Sequence, residues 1–380
     1  MAFFSFSLLK ESLNYLSLQI QPNIKYYSKD IYLWKELNNR NKNKRFCILD
    51  RERRLKSTNL GRKLLIFLPP KFGLGDAIEY CIAIKSLLKS KKFSKIGIAF
   101  TGHHTHIFKE FLSSCCAYPL IVSKETIKKY DTLFHITLEI EALRFQKYFR
   151  SNIVIEICKH FKVPVEDIKI KNNKDDKNYF NTISIFPVSN SVIRSLPFKI
   201  IKEIIEGLRD EYEYRIIIDD SIYSKNLQKE NTSNKFKFVK PINAKQLIKE
   251  VSKINFGIFV DSGPLHLAKI FNKRGILVET SVSEKVLLHN SKKIFPIKNN
   301  YRSKYCKGPC GLVDIFNYKN KIGCYESNKV SFENVKKFNS FKNLQRFDKK
   351  AYNTNFIINP VGCIKNINVK NILEFIKIKI

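Results

Sequence analysis

Short apolar runs, each followed by a stretch with helical spacing, constrain this chain more than any other feature. "KLLIFLPP" (63–70) leads through glycines into "DAIEYCIAIKSLLKS" (76–90), and "KIGIAF" (95–100) follows. "YPLIVS" (118–123) and "TLFHI" (132–136) are further strand candidates, and "EALRFQKYFRSNIVIEICKHF" (141–161) reads as helix. A second alternation begins at residue 182. The strands "TISIFPVS", "YRIIIDD", "FGIFVD" and "GILVET" are interleaved with the helices "PFKIIKEIIEGLRDEY", "NAKQLIKEVSKI" and "PLHLAKIF". Fully apolar strands separated by helices predict parallel sheets covered on both faces, hence an α/β fold. The polar stretch "KIKNNKDDKNYFN" (169–181) separates the two alternations. Two α/β domains, 61–175 and 176–330, with a cleft between them are the expected arrangement.

The ends read differently. Within 1–60, Leu8, Leu9, Leu13, Leu16 and Ile20 stand at helical spacing and precede "RNKNKRF" and "DRERRLK", which predicts a helical arm. Residues 328–360 are basic, polar and aromatic and read as an insertion. "NVKNILEFIKIKI" (368–380) predicts a terminal helix capped by Asn368. No run of eighteen apolar residues is present, so no membrane-spanning helix is expected, and the first residues make a poor secretory signal. Nine cysteines in 380 residues do not make a disulfide framework, which fits a reducing, cytoplasmic setting.

Three strand-to-helix junctions can carry chemistry. In "PKFGLGDAIEY" (70–80), Gly73 and Gly75 let a ligand approach the backbone, and the helix start favours anions. A dinucleotide fingerprint needs a third small residue where Ile78 stands, which argues against a nicotinamide enzyme. Asp76 can cap the helix or serve as a general base. In "IFPVSNSVIRSLPFK" (185–199), Ser189, Asn190 and Ser191 precede Arg194, which can hold a phosphate bidentately or simply face solvent. In "FVDSGPLHLA" (259–268), Asp261 ends a strand, Ser262 and Gly263 form the turn, and Pro264 suits the first helical position. The amides after Gly263 are expected to point outward without helical partners and to take a phosphate. Asp261 is expected to accept hydrogen bonds from turn amides or ligand hydroxyls. His266, one turn in, can donate to an anion or be structural.

These pieces resemble glycosyltransferase family 9, the ADP-heptose:lipopolysaccharide heptosyltransferases. "VDSGPLHLA" resembles that family's D-[ST]-G-x-x-H-L signature, and "GLGDAIEYCIAIKSL" its amino-terminal glycine-aspartate loop and helix. "VIRSLPFKIIKEIIEGL" is similar to its basic residue at the start of the second domain. "CKGPCG" and "GCIKNINVKNILEFI" are similar to its cysteine-containing tail and last helix. The resemblance covers roughly residues 62–330 and 359–378. It implies a GT-B fold of two Rossmann-like domains and an inverting, metal-independent transfer with no cofactor. The donor would be an ADP-heptose-like nucleotide-sugar and the acceptor a cell-envelope glycan such as lipopolysaccharide core. It also implies Asp76 as general base beside Gly73 and Gly75. It implies Arg194 as a basic diphosphate contact and Ser262, Gly263 and His266 as the diphosphate-binding turn, with Ser189, Asp261, Pro264 and Leu265 as further candidates of the nucleotide-sugar site.

Sixty-nine Lys and Arg against thirty-four Asp and Glu give a formal charge of +35. A codon bias toward Lys, with Asn and Ile also abundant, is one reading of that excess, and docking at the anionic inner face of a membrane is another. The excess equally raises a nucleic-acid binder, though no nucleic-acid motif is present and none is expected as partner. A sugar-nucleotide binder without catalysis is a further alternative. Cys306, Cys310, Cys324 and Cys363 could hold structural zinc, but their gaps are uneven for such a site, and buried free thiols are the competing expectation. His104 and His106 lie in "TGHHTHIF", read as an acceptor-facing or merely solvated loop. Asp219 and Asp220 can reach a ribose or cap a turn.

Overall fold

The computed structural model describes residues 25–26, 61–69, 72–136 apart from 103, 120–121, 123 and 128, then 152–166, 181–311 apart from 209, 211, 230–234 and 290, residues 324 and 326, and 359–379. The chain divides into two compact units, residues 1–147 with 151–166, and 148–150 with 167–380.

The first unit holds a parallel sheet of β1 (Lys25–Tyr26), β2 (Lys63–Phe67), β3 (Lys95–Phe100), β4 (Cys116–Pro119) and β5 (Thr132–His135) in the order β1-β5-β2-β3-β4. Leu64 to Phe67 are all buried, as a strand covered on both faces requires. From β2 the chain steps one way to β3 and β4 and the other way to β5. The loop that leaves β2 therefore stands at a topological switch point. That loop enters helix α1 (Leu74–Lys89) two residues earlier than the sequence predicts, with Gly73 as N-cap. Helices α2 (Thr105–Phe111) and α3 (Lys124–Ile127) follow.

Helix α4 (Ile153–Phe161) packs on α1. It starts where Asn152 accepts from the amides of Val154 and Ile155, at 2.8 and 3.3 Å. Asn152 also donates to the buried Glu79 of α1 at 3.1 Å, which locks the two helices together. Residues 141–151 of the predicted helix lie outside the described residues. Strand β4 begins two residues before the predicted "YPLIVS", because its pairing with β3 starts at Gly97 opposite Cys116. The predicted helical arm needs a local correction. Lys25 and Tyr26 pair with Thr132 and Leu133 as an edge strand, so that part of the arm is strand rather than helix. Otherwise the arm and the predicted insertion lie outside the described residues, save 359–360.

The second unit holds β6 (Thr182–Phe186), β7 (Glu213–Ile217), β8 (Phe236–Val239), β9 (Phe256–Phe259), β10 (Arg274–Val278) and β11 (Ile294–Ile297), all parallel, in the order β11-β10-β9-β6-β7-β8. Counted from β6, this is the doubly wound order 3-2-1-4-5-6, with its switch point between β6 and β9. Helices α5 (Phe198–Gly207), α6 (Ile222–Lys229), α7 (Ala244–Lys253), α8 (Gly263–Ile270) and α9 (Glu284–Leu287) are interleaved with the strands. The Phe259 ring lies over Gly257, where any Cβ would overlap it, and stacks on Phe186 of β6 with centroids 5.0 Å apart. That stack ties together the two strand ends that frame the switch point. Helices α10 (Gly362–Lys365) and α11 (Val369–Lys379) close the unit. Asn368 caps α11 through the Asn371 amide at 3.1 Å, and Leu373 packs where Gly207 ends α5.

Candidate functional site

The loops that leave β6 and β9 meet at the switch point, and most of the predicted residues lie on them. A 3-10 turn, Val192–Arg194, presents Arg194. Its Nη1 donates to Asp261 Oδ2 at 3.0 Å and to the Asp261 carbonyl at 3.4 Å. Ser189 Oγ donates to the same carbonyl at 2.7 Å, and the Ser189 amide donates to Ser195 Oγ at 3.0 Å. The two loops are thus cross-braced through one residue. Asp261 is held chiefly by the guanidinium rather than by the turn amides expected from sequence. The guanidinium beside it neutralises the Asp261 carboxylate. Arg194 Nε is buried without an acceptor among the described residues.

The turn after Asp261 differs in one respect from expectation. Ser262 occupies the N-cap, but its hydroxyl turns back to the Val260 carbonyl at 3.2 Å and caps nothing. Pro264 has no N–H, and the Leu265 amide is bonded to the Ser262 carbonyl at 3.1 Å. The outward donors are fewer than the spacing predicts: the amide of Gly263, first in α8, has no intrahelical acceptor. Leu265 is fully buried and serves the core. His266 is buried on the first turn.

In the first unit, Asp76 sits in the first turn of α1 and its Oδ2 accepts the Gly73 amide at 3.1 Å. The capping reading is therefore realised. A carboxylate has further lone pairs, so capping does not forbid a second role. Gly73 adopts ordinary extended backbone, φ −78°, and Gly75 lies inside the helix, so neither provides the left-handed turn of a glycine loop. The loop is braced instead by His104, whose Nε2 lies 3.3 Å from the Phe72 carbonyl and donates to it. Phe72 packs edge-on against Tyr80 and Phe108. His104 itself has φ 60°, the left-handed region. Burial pushes the His106 imidazole below its ordinary value.

The remaining predicted residues have structural roles. Asp219 accepts the Ser221 amide at 3.0 Å and the Ser221 and Ser224 hydroxyls at 2.5 and 2.6 Å, which ties down the start of α6. Asp220 is exposed and pairs with Lys240. Cys306, Cys310, Cys324 and Cys363 do converge, on one cavity of about 10 Å³ shared with Ile193, Ser281 and Glu326. A hydrogen bond with Cys310, then burial, pushes the Cys306 thiol far up, and burial does the same to Cys363. No group of three or more His, Cys, Asp or Glu among the described residues stands where it could hold a metal.

Sequence reasoning missed Glu279, which follows β10 as Asp261 follows β9. It is 2% exposed and accepts the amides of Glu284 at 2.8 Å and Asn299 at 2.9 Å. Burial, then the hydrogen-bonded Glu284 carboxyl, push it up to about 7. An acid closing the apolar run "GILVET" was the available signal.

No protein-family model and no curated protein matches the chain. Among solved structures, the chain is similar to the iron-containing dodecameric glycosyltransferase TibC of enterotoxigenic Escherichia coli H10407, with 11% identity, a TM-score of 0.52, and coverage of 83% of this chain and 77% of that one. The heptosyltransferase TibC in complex with ADP-D-β-D-heptose gives 11% identity, a TM-score of 0.50, and coverage of 84% and 76%. This likeness, with two parallel α/β sheets in one chain, shows that the protein has the GT-B fold of these glycosyltransferases.

Proposed function

We propose that this protein is an inverting glycosyltransferase that moves a sugar from a nucleoside-diphosphate sugar to a glycan hydroxyl. The observation that carries the reading is the switch point between β6 and β9, where Arg194, neutralising Asp261, and the Gly263 amide stand together. In doubly wound sheets ligands bind outside the carboxyl ends of the strands at such a point. The fold neighbour's complex with ADP-D-β-D-heptose supports an ADP-heptose-like donor. A cell-envelope glycan such as lipopolysaccharide core is the proposed acceptor.

In the proposed reaction Asp76 takes the proton of the acceptor hydroxyl. The hydroxyl oxygen attacks the anomeric carbon from the side opposite the diphosphate. The bond from that carbon to the phosphate oxygen breaks, and the nucleoside diphosphate leaves with the electron pair. The configuration inverts. Charge that grows on the leaving phosphate is met by Arg194, the Gly263 amide and the start of α8, each donor worth about 3 kcal/mol in the transition state. These groups supply positive charge without a metal. TibC is described as iron-containing. The four thiols of this chain are the soft donor set that iron or zinc takes. Among the described residues they do not stand in metal-holding geometry.

The chain's +35 charge supports docking at an anionic leaflet, at about 1 kcal/mol for each basic residue near the surface. Salt-sensitive sedimentation with anionic but not neutral vesicles tests that placement. For the reaction, purified protein given nucleotide-sugars and a lipopolysaccharide-core acceptor is expected to release nucleoside diphosphate. Asp76→Asn is expected to slow release by about 10²- to 10⁴-fold. No release from any nucleotide-sugar would overturn the reading. Nucleotide binding without turnover would favour a non-catalytic binder, in which Asp76 serves only the cap it makes with Gly73.

A further inference from the structure

We infer that Lys269 is a positioning residue that holds His266 in the tautomer whose Nε2 carries the proton, so that Nε2–H is the donor offered to the diphosphate. The inference rests on the proposed diphosphate site and assigns a role to a residue outside it.

His266 and Lys269 are three residues apart on α8 and share a face. The Lys269 ammonium donates to the Leu287 carbonyl of α9 at 2.7 Å, which pins it. From there it lies 3.5 Å from His266 Nδ1. An ammonium has hydrogens to give and no lone pair to accept with. A proton on Nδ1 would point at a cation, so Nδ1 must present its lone pair. At 3.5 Å the contact is long for a hydrogen bond. Its effect is electrostatic, and it acts on a ring that is only 7% exposed, away from competing water. A neutral imidazole with Nδ1 unprotonated carries its hydrogen on Nε2, since the partner of one ring nitrogen decides the state of the other.

The arrangement has a use at this place. His266 lies in the first turn of a helix whose start has few free amides, because Pro264 has none and that of Leu265 is spent on Ser262. A side-chain donor of fixed polarity makes up for them. With the hydrogen on Nδ1, Nε2 would have only a lone pair to offer a phosphate oxygen, and the two would repel.

The test uses the full-length protein with ¹⁵N-labelled histidine, the His266 signals being assigned with His266→Gln. Long-range ¹H–¹⁵N correlation spectra report the tautomer of each ring without any ligand. Calorimetry with ADP reports the binding. In the wild type, His266 Nδ1 is expected to resonate as an unprotonated nitrogen. Lys269→Met is expected to move Nδ1 toward the protonated position and to weaken ADP about tenfold. Lys269→Arg, also donor-only, is expected to keep the wild-type tautomer and most of the affinity. A protonated Nδ1 in the neutral ring of the wild type, or a tautomer and ADP affinity unchanged in a folded Lys269→Met, would overturn this inference alone. Absence of ADP binding to the wild type would instead overturn the diphosphate site on which it rests.

Discussion

Replacing Arg194 with Met separates what the guanidinium does for the fold from what it does for a ligand. The Arg194 and Asp261 side chains are 14% and 9% exposed and 3.0 Å apart. At that separation and an effective dielectric of about 20, their attraction is about 5–6 kcal/mol. Each ion also gives up several kcal/mol of hydration, so the pair's net contribution is small. Removing one partner is another matter, because it strands the other charge. Arg194→Met is expected to destabilise the second unit by about 3–5 kcal/mol, and adding Asp261→Asn should recover most of that loss. Native-state hydrogen exchange at the amides of β6 and β9 is the assay. It reads local opening, whereas one global transition would mix the two units. The double variant should regain exchange protection yet bind ADP about 10- to 100-fold more weakly, since hydrogen bonds to a charged group contribute about 1.5–3 kcal/mol. If the single variant is as protected as the double, the pair is not coupled as drawn. If the double variant binds ADP like the wild type, Arg194 is not a phosphate contact.

Glu279 makes stability depend on pH. Its folded value, about 7, lies above the ordinary carboxylate value, so the stability it contributes is complete below about pH 4.5 and is lost as pH rises through 7. Denaturation of Glu279→Gln should lack that fall, worth at most about 3 kcal/mol; equal slopes in the two proteins would refute the assignment. Lys162 ends α4 at φ 52°, ψ 48°, so Lys162→Gly should stabilise the first unit by about 1 kcal/mol, read as slower native-state hydrogen exchange at the amides of α4. Cys115 is pushed up to about 12 by burial, then by Cys116, and Cys158 to about 11 by burial. At neutral pH, iodoacetamide should label the exposed Cys116 first and spare Cys115, Cys158, Cys306 and Cys363 until the protein is unfolded, as read by peptide mass spectrometry.

Much of the fold was legible because its strands are buried on both faces. "TISIF", "FGIF" and "RGILV" are apolar runs too short for helices and flanked by turn residues, and each is a strand. Strand β8 was missed because "FKFV" alternates with a lysine on an edge that needs no second apolar face. Helix α6, "IYSKNLQK", was missed because it is mostly polar, and its start depends on Asp219 gathering two serine hydroxyls. At the site, glycine, proline and serine punctuation located the turn after β9. What lay beyond reach was partnership across the sheet. Nothing local to Asp261 names Arg194, which is 67 residues away and becomes a neighbour only through the parallel pairing of β6 with β9. Four thiols spread over 306–363 converge for the same reason: tail and loop fold back on Ile193, which no spacing rule encodes.

A crystal structure of the protein soaked with ADP is the most direct measurement of the central claim. The claim predicts phosphate oxygens about 3 Å from the Gly263 amide, with the Arg194 guanidinium and His266 Nε2 turned toward them. A nucleotide bound away from the ends of β6 and β9, or excluded from that turn at saturating concentration, would contradict it.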